Sequence, residues 1–243
     1  MIENSKNFHI IGMKIGVVYF SHNITEESRK HHSVSDNLLS LWLRFYKHSQ
    51  TTIQPVLITD QNTIIPKIWD YEYVRVSDCD PKKSKDVLNK VGWLKHQAFD
   101  YIGKCLLLDV DAFIVSNLDD LNNYDCPFAM AMDFNSYEKE WWFYQEWPEC
   151  KYKHNAGVMI LNTPEVGTMF KIIWEEKFDQ FQTITFLDEV IFSEIKNKLN
   201  GASLDLRYNH VWDYSLPEDC KIVHFSGENK YKIKDFVRSY FLI

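Results

Sequence analysis

The sequence predicts an α/β fold, a largely parallel sheet with helices on both faces. Two observations carry that prediction. Strand-like and helix-like runs alternate through the first half of the 243 residues. One apolar run, Lys104 to Val115, climbs straight into two carboxylates, Asp109 and Asp111, that flank the single valine Val110. In sheets of this kind ligands sit in the crevice beyond the carboxyl ends of the strands, and Asp109 and Asp111 stand at such an end. Two hard oxygen ligands at a sheet rim suit Mg²⁺ or Mn²⁺ that also takes phosphate oxygens into its shell. Read alone, Asp-x-Asp occurs by chance in many chains; the leucines before it strengthen the metal reading, because carboxylates closing a buried strand need a partner.

Taken in order, residues 1–12 are mixed and read as a loose arm. Lys14 to Phe20 is a β-branched and aromatic strand ending in Ser21-His22-Asn23, polar residues where a ligand loop would sit. Ser33 to His48 carries Leu38, Leu39, Leu41, Trp42, Phe45 and Tyr46 at helical spacing, with Ser33 or Ser35 as cap. Gln54 to Asp60 is a second strand, Tyr73 to Val76 a third, and Lys85 to Ile102 a helix interrupted near Gly92-Trp93. The run holding Asp109 follows as the central strand.

The second half changes character. Pro127 to Asp133 is strand-like, and Tyr137 to Cys150 is crowded with Trp141, Trp142, Phe143, Tyr144 and Trp147. His154 to Asn162 is a strand entered through a small-residue turn. Pro164 tolerates an early position in a helix to about Gln180. Thr185 to Leu199 is a further helix, and Lys221 to Phe225 a short strand running into Ser226 to Lys230. With no repeat, low-complexity stretch or linker, residues 1–243 read as one domain. A nucleotide-binding half of about 14–133 continues into an acceptor-binding half of about 134–243.

A 45% apolar and 25% charged composition is that of a globular protein with a sizeable core. The net charge of −7, with no dense Lys/Arg block, argues against a nucleic-acid partner and against a polybasic membrane anchor. An anionic ligand then needs a metal or a local basic residue. Cys79, Cys105, Cys126, Cys150 and Cys220 are odd in number and lack Cys-x-x-Cys spacing, which reads as buried thiols in a reducing compartment. No apolar run of ~18 residues and no basic-then-apolar start are present, so a cytoplasmic location without a membrane span is expected.

Three separated pieces ask for one explanation: Asp109-Val110-Asp111, Asn155-Ala156-Gly157 and His224-Phe225-Ser226-Gly227-Glu228-Asn229-Lys230. In this order and at these intervals they resemble the metal-dependent glycosyltransferases of the A-type (GT-A) fold. The likeness is to glycosyltransferase family 8, the group that includes glycogenin and bacterial lipopolysaccharide galactosyltransferases, and it covers roughly residues 14–232. It implies a Rossmann-like, mostly parallel sheet with a smaller C-terminal acceptor-side portion. It implies transfer of a sugar from a nucleotide diphosphate donor, UDP-linked, to a carbohydrate or glycoconjugate hydroxyl, with retention at the anomeric carbon.

Residue by residue, the resemblance implies that Asp109, Asp111 and His224 hold Mn²⁺ or Mg²⁺, imidazole weakly favouring Mn²⁺. Val110 lies between the carboxylates in the same donor-facing motif. Gly227 would let the backbone approach the phosphates, and Lys230 would add a point charge on them. Asn155 would bond a sugar, and Asp188 would sit near the anomeric carbon. Glu189 stands where the family has glutamine, and Tyr231-Lys232 where it has Pro-Trp. Lys95 lies where the family often carries a Lys or Arg aimed at the donor. Tyr19, Ser21 and His22 are placed to contact base and ribose, and Trp141 and Trp142 to stack on the acceptor.

Each has a plainer reading: His224 and Tyr19 as core, Lys230 as a solvated surface lysine, Lys95 as an exposed helix lysine, the tryptophans as packing. An inverting enzyme of the same fold would need a base such as Asp133, Asp188 or Glu189. A sugar-nucleotide nucleotidyltransferase would want a Gly-rich loop after the first strand, and Tyr19-Phe20-Ser21-His22-Asn23 has none. A non-catalytic carbohydrate-binding module would leave the paired carboxylates unexplained.

Overall fold

The computed structural model describes residues 12–20, 36–78, 87–132, 154–177 and 187–241. Strand β1 (Lys14–Val18) is flanked by β2 (Pro55–Thr59) and β4 (Cys105–Asp109), and β3 (Glu72–Arg75) closes that edge. All four run parallel. On the other side of β4 come β7 (His154–Leu161), β6 (Phe128–Met132) and β8 (Ala202–Leu204), giving seven strands in the order β3-β2-β1-β4-β7-β6-β8. β7 is antiparallel to both of its neighbours, and β8 is parallel to β6.

The strands read as continuous apolar runs because both faces are covered. Along β4 the side chains alternate: Leu106 and Leu108 enter one core, Cys105 and Leu107 the other. The first core is roofed by α1 (Asp36–Ser49) and the last helix, α6 (Ile233–Phe241). The second is roofed by α2 (Val87–Lys95), α3 (Ala98–Ile102), α4 (Glu165–Lys177) and α5 (Leu187–Lys198). Among the described residues no helix is long and apolar enough to cross a membrane. Cys105, Cys126 and Cys220 are free thiols; Cys105 and Cys220 are buried.

The central strand ends at Asp109, as the sequence predicts; after β4 the chain turns at Val110-Asp111 and re-enters as β5 (Ala112–Ile114). β5 pairs antiparallel with β9 (Ile222–His224) in a separate two-stranded ribbon. The helix break falls at His96-Gln97, not at Gly92, which sits inside α2. Beyond Lys232, where the sequence reading assigns no element, α6 forms and packs on the aromatic box around Phe45. Phe45 of α1 stacks on Phe113 of β5 at 4.9 Å and on Phe236 of α6 at 5.4 Å.

Under the second face His96 stacks on Phe170 at 4.6 Å and meets Trp93 edge-on at 4.7 Å. Burial, with the Lys171 charge adding to it, pulls its pKa from 6.5 down to about 3. The folded protein therefore holds a neutral ring that the unfolded chain protonates first, so stability is lost as pH falls from 6.5 towards 3. Between about pH 7.5 and about pH 5 this one group should cost about 2 kcal/mol. Denaturant titrations should show that His96→Leu removes a loss of that size; an unchanged pH slope refutes the assignment.

Candidate metal and donor site

The site is assembled at the carboxyl end of β4. Asp109 is the last strand residue, and the turn after it presents Asp111 on the same side. The β5–β9 register pairs Ala112 with His224, which brings the distant imidazole beside Asp111. Ligand atoms of Asp109, Asp111 and His224 all lie within 4.8 Å of one another. Beyond β9 a 3-10 turn, Gly227–Lys232, carries the chain back so that Lys230 Nζ reaches Asp111 Oδ2 at 2.9 Å. The interval from His224 through Gly227 to Lys230 is thus the length of a strand end plus one turn.

The Asn-Ala-Gly segment forms an irregularity in β7. Met130 of β6 faces Met159 while Ala131 faces Asn155, so Ala156, Gly157 and Val158 have no opposite number. Such bulges gather next to functional sites and re-aim what they carry. Here the carbonyl of Ala156 is turned to accept from Lys95 Nζ at 2.8 Å. Asn155 braces the bulge, its Oδ1 accepting from the Gly157 N–H at 2.7 Å and its Nδ2 donating to Glu189 Oε1 at 3.0 Å. Gly157 is the seat of the imidazole: a Cβ there would lie 2.2 Å from His224 Cε1.

Lys95 is 1% exposed, which excludes an exposed helix lysine. Its ammonium pairs with Asp109 Oδ1 at 2.8 Å and faces Asp188 Oδ2 at 3.7 Å. Burial pushes its pKa down, but the Asp109 and Asp188 charges outweigh it, so the net movement is upward and the group stays charged. Gly92 makes this possible: a Cβ there would lie 2.6 Å from Asp188 Cβ and hold α5 away from α2. Asp111 is likewise buried, which raises its pKa; the net movement is nevertheless downward, well below the usual carboxylate range, with the Lys230 ammonium the largest lowering cause.

Tyr19 and Val110 are buried in the first core. Gly227 opens the 3-10 turn. Ser21, His22, Asp133, Trp141 and Trp142 lie outside the described residues. One participant was absent from the sequence reading: Asn209 Oδ1 lies 2.9 Å from His224 Nδ1. Nothing local marks it, since it follows a 3-10 turn (Leu206–Tyr208) in an irregular stretch.

Two carboxylates and an imidazole form a donor set for Mn²⁺ or Mg²⁺. The charge agrees: among the described residues here, Asp109, Asp111, Asp188 and Glu189 face two ammonium groups, Lys95 and Lys230, leaving the two negative charges that one divalent cation would neutralise.

No family model matches the sequence, and no curated protein does. Solved structures do match. The galactosyltransferase LgtC, crystallised with donor and acceptor sugar analogues, is 14% identical, with a TM-score of 0.57 over 89% of this chain and 88% of that one. An active-site glutamine-to-glutamate mutant of LgtC gives 14% and 0.58 over 87% and 86%. The apo glycosyltransferase GlyE of Streptococcus pneumoniae gives 15% and 0.57; 96% of this chain spans only 61% of that one.

Removing the buried cation by Lys95→Met strands Asp109 and Asp188 and should destabilise the fold by about 3–5 kcal/mol in denaturant titration. A loss under 1 kcal/mol, the size of a surface pair, would contradict this role. Gly157→Ala should displace the imidazole and weaken Mn²⁺ binding by about tenfold or more in calorimetry; wild-type affinity would show that the ring is not seated there. The likeness to these solved structures, over a mostly parallel sheet with carboxylates at the end of β4, gives this chain the A-type fold of glycosyltransferases.

Proposed function

We propose that the chain is a metal-dependent glycosyltransferase, working as one domain, that moves a sugar from a nucleotide diphosphate donor, UDP-linked, to a hydroxyl of a carbohydrate or glycoconjugate. The observation that carries this reading is the meeting of Asp109, Asp111 and His224 at the end of β4 in an A-type fold. A bound Mn²⁺ or Mg²⁺ would supply Lewis-acid neutralisation of charge on the departing diphosphate.

The protein's own groups supply the rest. Lys230, on the rim beside Asp111, is placed to bring a positive charge to phosphate oxygens. The Lys95 ammonium orients Asp109 and Asp188 through ion pairs at 2.8 and 3.7 Å, the preorganised charge that transition states of this kind need. Asp188 and the Asn155–Glu189 pair bound the space beside the carboxylates, where the sugar would lie. Glu189 adds a carboxyl where the resemblance expects neutral glutamine, and LgtC has been crystallised with a glutamine-to-glutamate exchange in its active site. For retention the leaving phosphate oxygen accepts the acceptor proton, and no separate base is required.

The test is hydrolysis of UDP-sugars with and without Mn²⁺. Slow, Mn²⁺-dependent UDP release is expected, and Asp111→Asn should reduce it to the metal-free background with circular dichroism unchanged. Pyrophosphate exchange would instead identify a nucleotidyltransferase. Binding of sugar without turnover of any donor would identify a carbohydrate-binding module.

A further inference from the structure

We infer that Asn209 is a positioning residue that fixes His224 in the tautomer a metal ligand needs; the inference rests on the metal-dependent reading above. Asn209 is 1% exposed and held on every side. Its backbone N–H donates to Leu206 O at 3.1 Å, and its Nδ2 donates to Met132 O at 2.8 Å. A carbonyl only accepts, so the Met132 contact decides which end of the amide is nitrogen and turns Oδ1 towards the imidazole. Oδ1 also only accepts, and it stands 2.9 Å from His224 Nδ1. The hydrogen between them therefore belongs to Nδ1.

A neutral imidazole carries one N–H, so Nε2 is left with its lone pair. That lone pair faces Asp111 Oδ1 at 3.4 Å, beyond the usual 2.7–3.2 Å of an N–H···O bond. Two electron-rich atoms so placed repel unless a cation shares them. The opposite tautomer would commit Nε2–H to Asp111 and close the nitrogen to a metal. It would also set a lone pair on Nδ1 against Oδ1. Metal-bound histidines commonly have their other ring nitrogen fixed this way by a partner outside the ligand set.

Backbone bonds tie the arrangement together. His224 N–H donates to His210 O at 2.9 Å, and His210 bridges Val223 in parallel, so the segment beginning at Asn209 is stitched to β9. Met132 ends β6, so Asn209 also ties the imidazole to the central sheet.

Two variants separate positioning from mere support. Asn209→Ala removes the acceptor from Nδ1 and the donor from Met132. Asn209→Asp keeps an acceptor for Nδ1, loses the donor and sets a carboxylate oxygen against the Met132 carbonyl. Both should lower the melting temperature. Mn²⁺ affinity by calorimetry should fall about 10- to 100-fold in Asn209→Ala and stay within about threefold of wild type in Asn209→Asp. Equal losses in both variants would reduce Asn209 to support.

Nitrogen-15 spectra of the metal-free wild type at about pH 8, where a free imidazole is neutral, read the tautomer without any variant having to fold. His224 protonated at Nδ1 is expected; protonation at Nε2 overturns the inference. A wild type that binds no Mn²⁺ would sink the metal-dependent reading, while the spectrum would still decide the tautomer.

Discussion

An ammonium ion removed from water must be surrounded by oxygens, and Lys95 meets that demand by drawing three distant segments together. Asp109 comes from the end of β4, the Ala156 carbonyl from the irregular stretch of β7, and Asp188 from the first turn of α5. The ammonium would not tolerate burial without them, and the carboxylates would not tolerate it without the ammonium. A buried network like this is a weak source of net stability but a strong constraint on geometry. The glycine in α2, the irregularity in β7 and the acidic start of α5 are all conditions for it.

The third ligand depends on a different device. His224 belongs to neither the central sheet nor a helix; it rides on a ribbon whose other strand is the continuation of β4 after its turn. Because β5 follows Asp111 directly, pairing Ala112 with His224 sets the imidazole beside that carboxylate. A slip of one residue would put Val223 there and turn the imidazole to the other face. The ribbon is held in register by packing: Phe113 and Phe225 lie 5.7 Å apart, and Phe225 meets Phe236 of α6 at 5.2 Å. The C-terminal helix thus serves the site through the packing of the ribbon.

Much of this is legible in the sequence, for identifiable reasons. Buried parallel strands announce themselves as apolar runs, so β1, β2 and β4 are readable. Asp109, Asp111 and His224 are readable together only because an ordered pattern links them; His224 alone passes for a core histidine. What escapes is whatever depends on long-range pairing. The apolar run through Asp109 carries no mark that its two halves join different sheets. Lys95 is picked out only by the resemblance; alone it reads as a solvent-facing helix residue, because lysine is rarely sealed and its oxygens arrive from segments far along the chain. Asn209 has no local signal, its role being defined by an imidazole and a carbonyl that only the fold brings near. Gly92 misleads: glycine in a helix suggests a break, whereas here it makes room for Asp188.

The two aspartates, alike in sequence, are unlike in setting, and the difference follows from where the strand ends. Asp109 is still in the sheet and shares its partner with the wall of the site, where the ammonium of Lys95 is sealed. Asp111 is in the turn, bonded to a lysine on a 3-10 segment whose side chain retains about a fifth of its exposure. Exposure is thus reversed between the pairs: the cation is sealed beside Asp109, whose side chain stays 27% exposed, and the carboxylate is sealed at Asp111, where Lys230 stays 21% exposed. Since Asp111 is held ionised by its neighbours, accepting a cation there requires no proton to leave. At 14% identity the fold stays recognisable because apolar alternation can be built from many side chains. The inequivalence of two carboxylates one residue apart cannot, since it needs a strand that stops between them.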